Sequence, residues 1–445
     1  MERSFFDMFD QEAIEASAGG TEVNTTTQGR MVTPSYRIDV PLHTLLQKSS
    51  ERTTLLRPTS APLGLPEPVF PQVKRTGNLK RTGLFYHANN GLRAFRRWLV
   101  PYIQSRIYAD EFRPLLSYLF TEWKCNLDCH YCWAFENSVK GMTEEVARRS
   151  IDWLHSVGCR VIAIMGGEPL LRPKFIHKVI YYGAKRGFFM YLPTNGRLMK
   201  PQVIDWIGDA GVAAVNLAVD CVQEKAGLPK ALERIRPYFD YLVKMQRRYG
   251  YMVVFNINIC RHNMEDVKVL TEIAHDHGIS TDYHINETPM IEQTHFKHYE
   301  DNVTYLRPED WPKVDELLDY LIEKNKQGYI MVNSKAHLAR MKDFMRGHVD
   351  PWNCRAGQNS LVIRTDGTVA PCFPMYSATY DWGTIENQKF DFAQLNEMKK
   401  ECVKHCLSTC QYVLGHYYNN QTVLRWIIKQ ALHGMTGNTT AVAQA

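Results

Sequence analysis

Between residues 115 and 290 the apolar and polar positions recur in a fixed order: a short apolar run, a turn, then a stretch with helical spacing. LLSYLFTEW, RVIAIM, FFMYLPT, VAAVNLAVD, YMVVFNINI and ISTDYHIN are the apolar runs. Their length and their β-branched and aromatic content favour strands. TEEVARRSIDWLHSVG, PKFIHKVIYYGAKRG, KPQVIDWIGDAG and the stretches 229–248 and 264–277 lie between them and carry a helical period. Six βα-type units in succession predict an α/β fold with a parallel sheet and right-handed crossovers. In such a sheet ligand chemistry belongs at the C-terminal ends of the strands.

The flanks read differently. Residues 1–70 are rich in Thr, Ser, Pro and Gly without periodicity, and are expected to be irregular. PEDWPKVDELLDYLIEKNKQ and SKAHLARMKDFMRG predict two further helices, and LVIRTDGTVAPC predicts a hairpin with an Asp-Gly turn. QTVLRWIIKQALHG predicts a last helix before a small-residue polar tail. The expected organisation is an N-terminal extension (1–110), the βα region (111–290), a helical linker (291–349), a cysteine-rich α+β module (350–412), and a helix with its tail (413–445). No internal repeat is visible.

Composition narrows the function classes. The 445 residues are 44% apolar and 22% charged, which is ordinary globular content. A formal charge of +6 is mild for this length and does not by itself indicate nucleic acid, for which no dedicated module is visible. The charge is uneven: residues 74–107 hold eight Lys and Arg and no acid. Overlapping it, GLRAFRRWLVPYIQSRIY (91–108) reads as a basic aromatic helix that lies on an anionic membrane surface or holds an acidic partner, or else as a solvated helix packed on the next domain. Pro101 limits the length of any straight helix there. No run approaches the roughly 18–20 apolar residues of a membrane span. MERSFFDMFDQEAIEAS has early acids and no apolar leader core, so a cytoplasmic location is expected.

In that setting eleven cysteines point to metal or redox chemistry rather than to disulfides. Cys159, Cys221 and Cys260 sit singly in apolar runs and read as buried small hydrophobes. Cys125, Cys129 and Cys132 form C-x3-C-x2-C directly after the first strand. Thiolates suit iron–sulfur clusters, and three of them leave one iron of a [4Fe–4S] cluster without a protein ligand. That iron is open to a small molecule's amine and carboxylate. A zinc site with a remote fourth ligand is the alternative, although zinc knuckles usually show C-x2-C pairs. Three more features share the strand-end register. They are Gly166-Gly167-Glu168-Pro169 after the second strand, Thr194-Asn195-Gly196 after the third, and Asp220 after the fourth. Alone, each is a generic turn or cap.

Together with the cysteine loop, whose last Cys follows an aromatic (Tyr131), these elements resemble the radical S-adenosylmethionine (radical SAM) family over residues 115–290. The resemblance implies a partial (βα)6 TIM-like barrel. It implies a [4Fe–4S] cluster on Cys125, Cys129 and Cys132, with S-adenosylmethionine on the open iron. Gly166, Gly167, Glu168 and Pro169 would meet the methionine amino group through their backbone, with Tyr131, Asn195 and Asp220 also at the cofactor. One electron, from a reductant such as a flavodoxin or ferredoxin, would cleave the cofactor to methionine and a 5′-deoxyadenosyl radical that abstracts a substrate hydrogen.

CRAGQNSLVIRTDGTVAPC, followed by Cys402-x3-Cys406-x3-Cys410, resembles the auxiliary-cluster module called SPASM or its shorter relative, twitch. A full SPASM module has seven cysteines. The five here imply a single auxiliary [4Fe–4S] cluster, with Cys354, Cys372 and two of Cys402, Cys406 and Cys410 as ligands. The fifth is a spare thiol, a swap ligand or a hydrogen donor. A zinc site here would lack the usual close C-x2-C pairs.

Substrate contacts are expected late in the barrel, from Asn216, Asn256, Asn258, Asp282, His284 and Glu287. His284, Glu287 and Cys410 are the candidate catalytic groups. Each residue taken singly reads more readily as a satisfied core polar group; it is their grouping on strands that end near the cofactor that points to substrate. Family members modify ribosomal peptides, oxidise sulfatase residues or act on sugars and other small molecules. Residues 1–110 do not read as a compact peptide-recognition domain. The segments 91–108 and LRWIIKQALHG suit an amphiphilic substrate at a membrane surface. A small-molecule or lipid biosynthetic intermediate is therefore the expected substrate. Peptide or protein maturation is the second reading, and a non-catalytic iron–sulfur or zinc protein is the third.

Overall fold

The computed structural model describes residues 100–108, 111–132, 139–285, 302–376 and 381–419. Glu287, the segment 91–99 and the helix expected in QTVLRWIIKQALHG lie outside them. The chain runs α1 (Val100–Ile107), β1 (Leu116–Glu122), α2 (Glu144–Ser156), β2 (Val161–Gly166), α3 (Pro173–Lys185), β3 (Phe189–Thr194), α4 (Pro201–Ala210) and β4 (Ala214–Ala218). It continues through α5 (Leu232–Tyr249), β5 (Met252–Ile259), α6 (Met264–Asp276), β6 (Ser280–Ile285), α7 (Trp311–Lys326) and α8 (Lys335–Met345). It closes with β7 (Ser360–Ile363), β8 (Val369–Ala370), α9 (Phe392–Cys402) and α10 (Thr409–Asn419).

The strands make one sheet in the order β6-β5-β4-β3-β2-β1-β7-β8. From β6 to β7 every neighbouring pair is parallel, and only β8 runs against β7. This is the α/β architecture that the alternating pattern requires. Strand residues alternate between two faces. One face carries Leu119, Ile162, Ile164, Leu192, Leu217, Phe255 and Tyr283 into the main hydrophobic core, shared with the helices. The other, inner face carries Tyr118, Phe120, Ala163 and Val362 in a smaller cluster that Tyr191, Cys132 and Cys410 also join.

The hairpin in residues 360–370 forms as expected, but its first strand does more than pair with β8. It adds to the edge of the main sheet, with Leu116 opposite Ser360 and Leu119 opposite Ile363. The register is fixed just before the strands: Arg113 N donates to Gln358 O (2.9 Å), Leu115 N to Asn359 O (2.7 Å), and Asn359 Nδ2 to Arg113 O (2.9 Å). The late cysteines are thereby brought onto the sheet whose strand ends carry the first cysteine loop.

The Glu272 carboxylate of α6 reaches across to α7. Glu272 accepts from Tyr329 (2.6 Å), lies 2.7 Å from Lys324 Nζ, and also accepts from Tyr320. Burial raises the Glu272 carboxyl, but the bonds from Lys324, Tyr320 and Tyr329 outweigh it and bring the pKa down to about 2. A lowered carboxylate stabilises the fold above its unfolded pKa, near 4.3, and that contribution disappears as pH falls toward 2. Glu272→Gln should therefore flatten the stability loss between about pH 4.5 and 2, followed by urea melts across that window. An acid limb identical to wild type would refute the coupling.

Candidate functional site

β1 ends at Glu122, whose buried carboxylate turns the chain into the cysteine loop. Its Oε1 accepts from Trp123 N (3.0 Å) and Lys124 N (3.2 Å). The end of β2 then closes onto the root of that loop. Gly167 N donates to Glu122 O (2.7 Å) and Glu168 N to Lys124 O (2.8 Å). The approach is so close that a Cβ on Gly167 would lie 2.2 Å from Lys124 O, and one on Gly166 2.5 Å from Glu122 O. Glycine is required at both positions by contact with backbone, which cannot move aside as a side-chain tip can.

Glu168 is fully buried and joins three strand ends. Its Oε1 accepts from Leu170 N (3.0 Å) and Thr194 Oγ1 (2.8 Å), and its Oε2 from Asn195 N (2.8 Å). Burial pushes its carboxyl up, opposed by these same bonds. Asn195 Nδ2 donates onward to Asn126 Oδ1 (2.8 Å), inside the cysteine loop. Pro169 opens the short turn that follows Glu168. The GGEP turn, the TNG turn and the cysteine loop are thus one hydrogen-bonded unit.

Asp220 is buried at the fourth strand end. Tyr131 donates its hydroxyl to Oδ2 (2.5 Å), and Asn258 N donates to Oδ1 (2.9 Å). Beyond Asp220 the chain folds back through residues 221–231 and returns to the loop, where His130 N donates to Gly227 O (3.0 Å). That return delivers Lys230, whose Nζ lies 5.1 Å from the Tyr131 ring centroid. Burial opposes the Lys230 charge, but the fields of Cys129, Asp220, Cys132 and Cys125 outweigh it and hold the ammonium above its usual range. Burial also pushes the Cys125 thiol well up and the Cys129 thiol up to about 12, with Lys230 working against burial at Cys129.

The donor set fits a [4Fe–4S] cluster. Three thiols stand on one loop, Cys129 buried and Cys125 and Cys132 partly so, close enough to influence one another, with a lysine cation placed to offset thiolate charge. Among the described residues no three His, Cys, Asp or Glu side chains converge on a point that would hold a single metal ion. Cluster thiolates each address a different iron, so that convergence is not demanded of them.

The five late cysteines divide. Cys354, Cys372, Cys402 and Cys406 line one cavity together with Lys399. Lys399 donates to Gln358 Oε1 (2.9 Å), and burial pulls its pKa down to about 8 against the opposing field of Cys354. Cys410 does not line that cavity; it packs with the inner-face cluster and sits beside Tyr118, whose hydroxyl burial raises and Cys410 raises further.

The late-barrel polar residues gather on the inner face. His284 Nε2 lies 3.2 Å from Asp282 Oδ2 and 3.2 Å from Asn256 Nδ2, and Asn216 Nδ2 contacts the Tyr191 hydroxyl. Sequence reasoning missed Asn126, Lys230 and Lys399. Asn126 stands inside the cysteine motif, which was the only signal available for it. Nothing in the sequence marks Lys230 as a neighbour of the loop.

Residues 124–294 match the family described as the Radical SAM superfamily. The AdoMet-dependent heme synthase of Methanosarcina barkeri is 29% identical over 169 residues, which is 36% of this chain and 47% of that protein. The GTP 3′,8-cyclase of Helicobacter pylori is 25% identical over 295 residues, 59% of this chain and 82% of that protein. The chain thus spans about half the length of the heme synthase. Among solved structures, Streptococcus suis SuiB bound to S-adenosylmethionine superposes with a TM-score of 0.47 at 13% identity, covering 68% of this chain and 69% of that one. The matched region is less than half of the chain, and the family it matches is one of enzymes that use a [4Fe–4S] cluster and S-adenosylmethionine.

Proposed function

We propose that this protein cleaves S-adenosylmethionine reductively at a cluster held by Cys125, Cys129 and Cys132, and uses the radical on a small molecule bound against the inner face of the sheet. The observation that carries the proposal is the unit joining the three turns: Glu168 to Asn195, Asn195 to Asn126, and Tyr131 to Asp220. A single-purpose thiol loop would not need three strand ends fixed to it. A cluster held by these thiolates would supply one electron for reductive cleavage of the cofactor's C–S bond.

This chain's residues hold, orient and shield. The three thiolates bind iron, and Lys230 offsets part of their charge. Gly166 and Gly167 let the backbone of the second turn reach the loop, where it can face the cofactor's amino group. The carboxylate of Glu168 is engaged by Leu170, Thr194 and Asn195, so its part is to position that turn. Asp220 is held by Tyr131 and Asn258 at the same end of the barrel. The electron comes from a one-electron protein reductant of the flavodoxin or ferredoxin type. Among the described residues no helix is long and apolar enough to cross a membrane.

The late cysteines are assigned with it. Cys354, Cys372, Cys402 and Cys406 hold an auxiliary [4Fe–4S] cluster of the SPASM or twitch type, because these four line one cavity. Cys410 is outside the set. Anaerobic reconstitution with iron and sulfide analysis tests both points. Wild type and Cys410→Ser should carry about eight irons per chain, and Cys406→Ser about four. Loss of iron in Cys410→Ser with full content in Cys406→Ser would overturn the assignment.

A further inference from the structure

Asp282 stands on the inner face by register. Its neighbours Thr281 and Tyr283 turn to the other side, where the Thr281 hydroxyl bonds Ile330 O and the Tyr283 hydroxyl meets Thr271. Asp282 lies opposite Asn256 of β5 and is 8% exposed. Its Oδ2 is 3.2 Å from His284 Nε2, while its Oδ1 is buried and accepts no hydrogen bond. On the same face Asn216, 2% exposed, contacts the Tyr191 hydroxyl through Nδ2 and leaves its own Oδ1 buried without a donor. The other ionisable groups facing this space are Tyr118, Tyr191 and Cys410, with Asp220 beyond His284. Among the described residues no Lys or Arg forms an ion pair with Asp282.

Buried acceptors are nearly always satisfied, and a buried carboxylate needs a cation or several donors. Two unfilled acceptor oxygens, one on a carboxylate, mark a place shaped for something that brings donors. A cation is preferred over a neutral donor at the carboxylate because charge-assisted hydrogen bonds are the stronger. We propose that Asp282 anchors the substrate through a protonated amine, with Asn216 Oδ1 accepting from a second donor, such as a hydroxyl, on the same small molecule. The proposal rests on the inner face being the substrate site.

The test compares two probes of one skeleton, 2-aminocyclohexanol and cyclohexane-1,2-diol, titrated into the reconstituted wild-type protein without reductant and read by ligand-observed NMR. Wild type should bind the amino alcohol about tenfold more tightly than the diol. Asp282→Asn should weaken the amino alcohol by about the same factor and leave the diol nearly unchanged. Equal binding of the two probes by wild type, or binding of neither, overturns the proposal even if the variant does not fold. An amino alcohol affinity unaffected by Asp282→Asn overturns it as well. Because no turnover is read, a failure of S-adenosylmethionine cleavage would count against the proposed reaction alone. Equal probe binding would remove the subsite and leave that reaction standing.

Discussion

Cys129→Ala should form no detectable 5′-deoxyadenosine and should lose about four irons per chain, while the iron of the late cysteines stays. The expectation follows from what surrounds the thiol. Cys129 is buried, and the two carboxylates at the neighbouring strand ends are already engaged. Asp220 is taken by Tyr131 and Asn258, and Glu168 by Leu170, Thr194 and Asn195. The nearby charged nitrogen, Lys230, is a cation that repels iron. Two remaining thiolates leave two irons without thiolate ligands from the loop. Product chromatography with iron analysis measures both effects. Cleavage activity retained in Cys129→Ala would remove the loop from the chemistry.

Gly167→Ala is the second large effect, and it acts without touching a ligand. The added methyl would lie 2.2 Å from Lys124 O and 2.7 Å from Trp123 O, both backbone atoms. The strand end must then back away from the loop. Doing so breaks the bonds from Gly167 N to Glu122 O and from Glu168 N to Lys124 O, and shifts the residue just before Cys125. Overpacking of this kind costs about 1–3 kcal/mol. A larger loss is expected in function, with cluster occupancy and 5′-deoxyadenosine formation falling by about tenfold or more, since small misplacements of reacting groups are costly. Gly158→Ala is the comparison. Gly158 has φ +87°, so alanine is strained there, but no atom lies within 4 Å of its Cβ. It should lower the melting temperature and leave cluster occupancy intact. Equal cluster occupancy in both variants would show that the close approach at Gly167 is unimportant.

The parallel sheet was legible because its strands are buried on both faces and read as continuous β-branched and aromatic runs. The three turns were legible as a set because strand ends in such a sheet converge by topology. What bonds them was less so. Asn126, which links the cysteine loop to Asn195, looks like filler between two cysteines. Lys230 follows Asp220 by ten positions, and only the fold-back of 221–231 brings it to the thiols. The β1–β7 pairing was hidden by distance along the chain and by the brevity of β7, four residues long. The partition of the late cysteines was hidden by spacing that suggests a shared helical face. Cys402 ends α9 and Cys410 lies in the first turn of α10, while Cys406 falls between the helices. That break lets Cys402 and Cys406 line one cavity while Cys410 turns to the inner face.

The most direct measurement of the central claim is product formation by the reconstituted wild-type protein. It would be incubated anaerobically with S-adenosylmethionine and a low-potential reductant, and followed by liquid chromatography and mass spectrometry. The account predicts 5′-deoxyadenosine and methionine in equal amounts, dependent on both the reductant and the cluster. A protein that holds its full iron and sulfide yet yields neither product would contradict it.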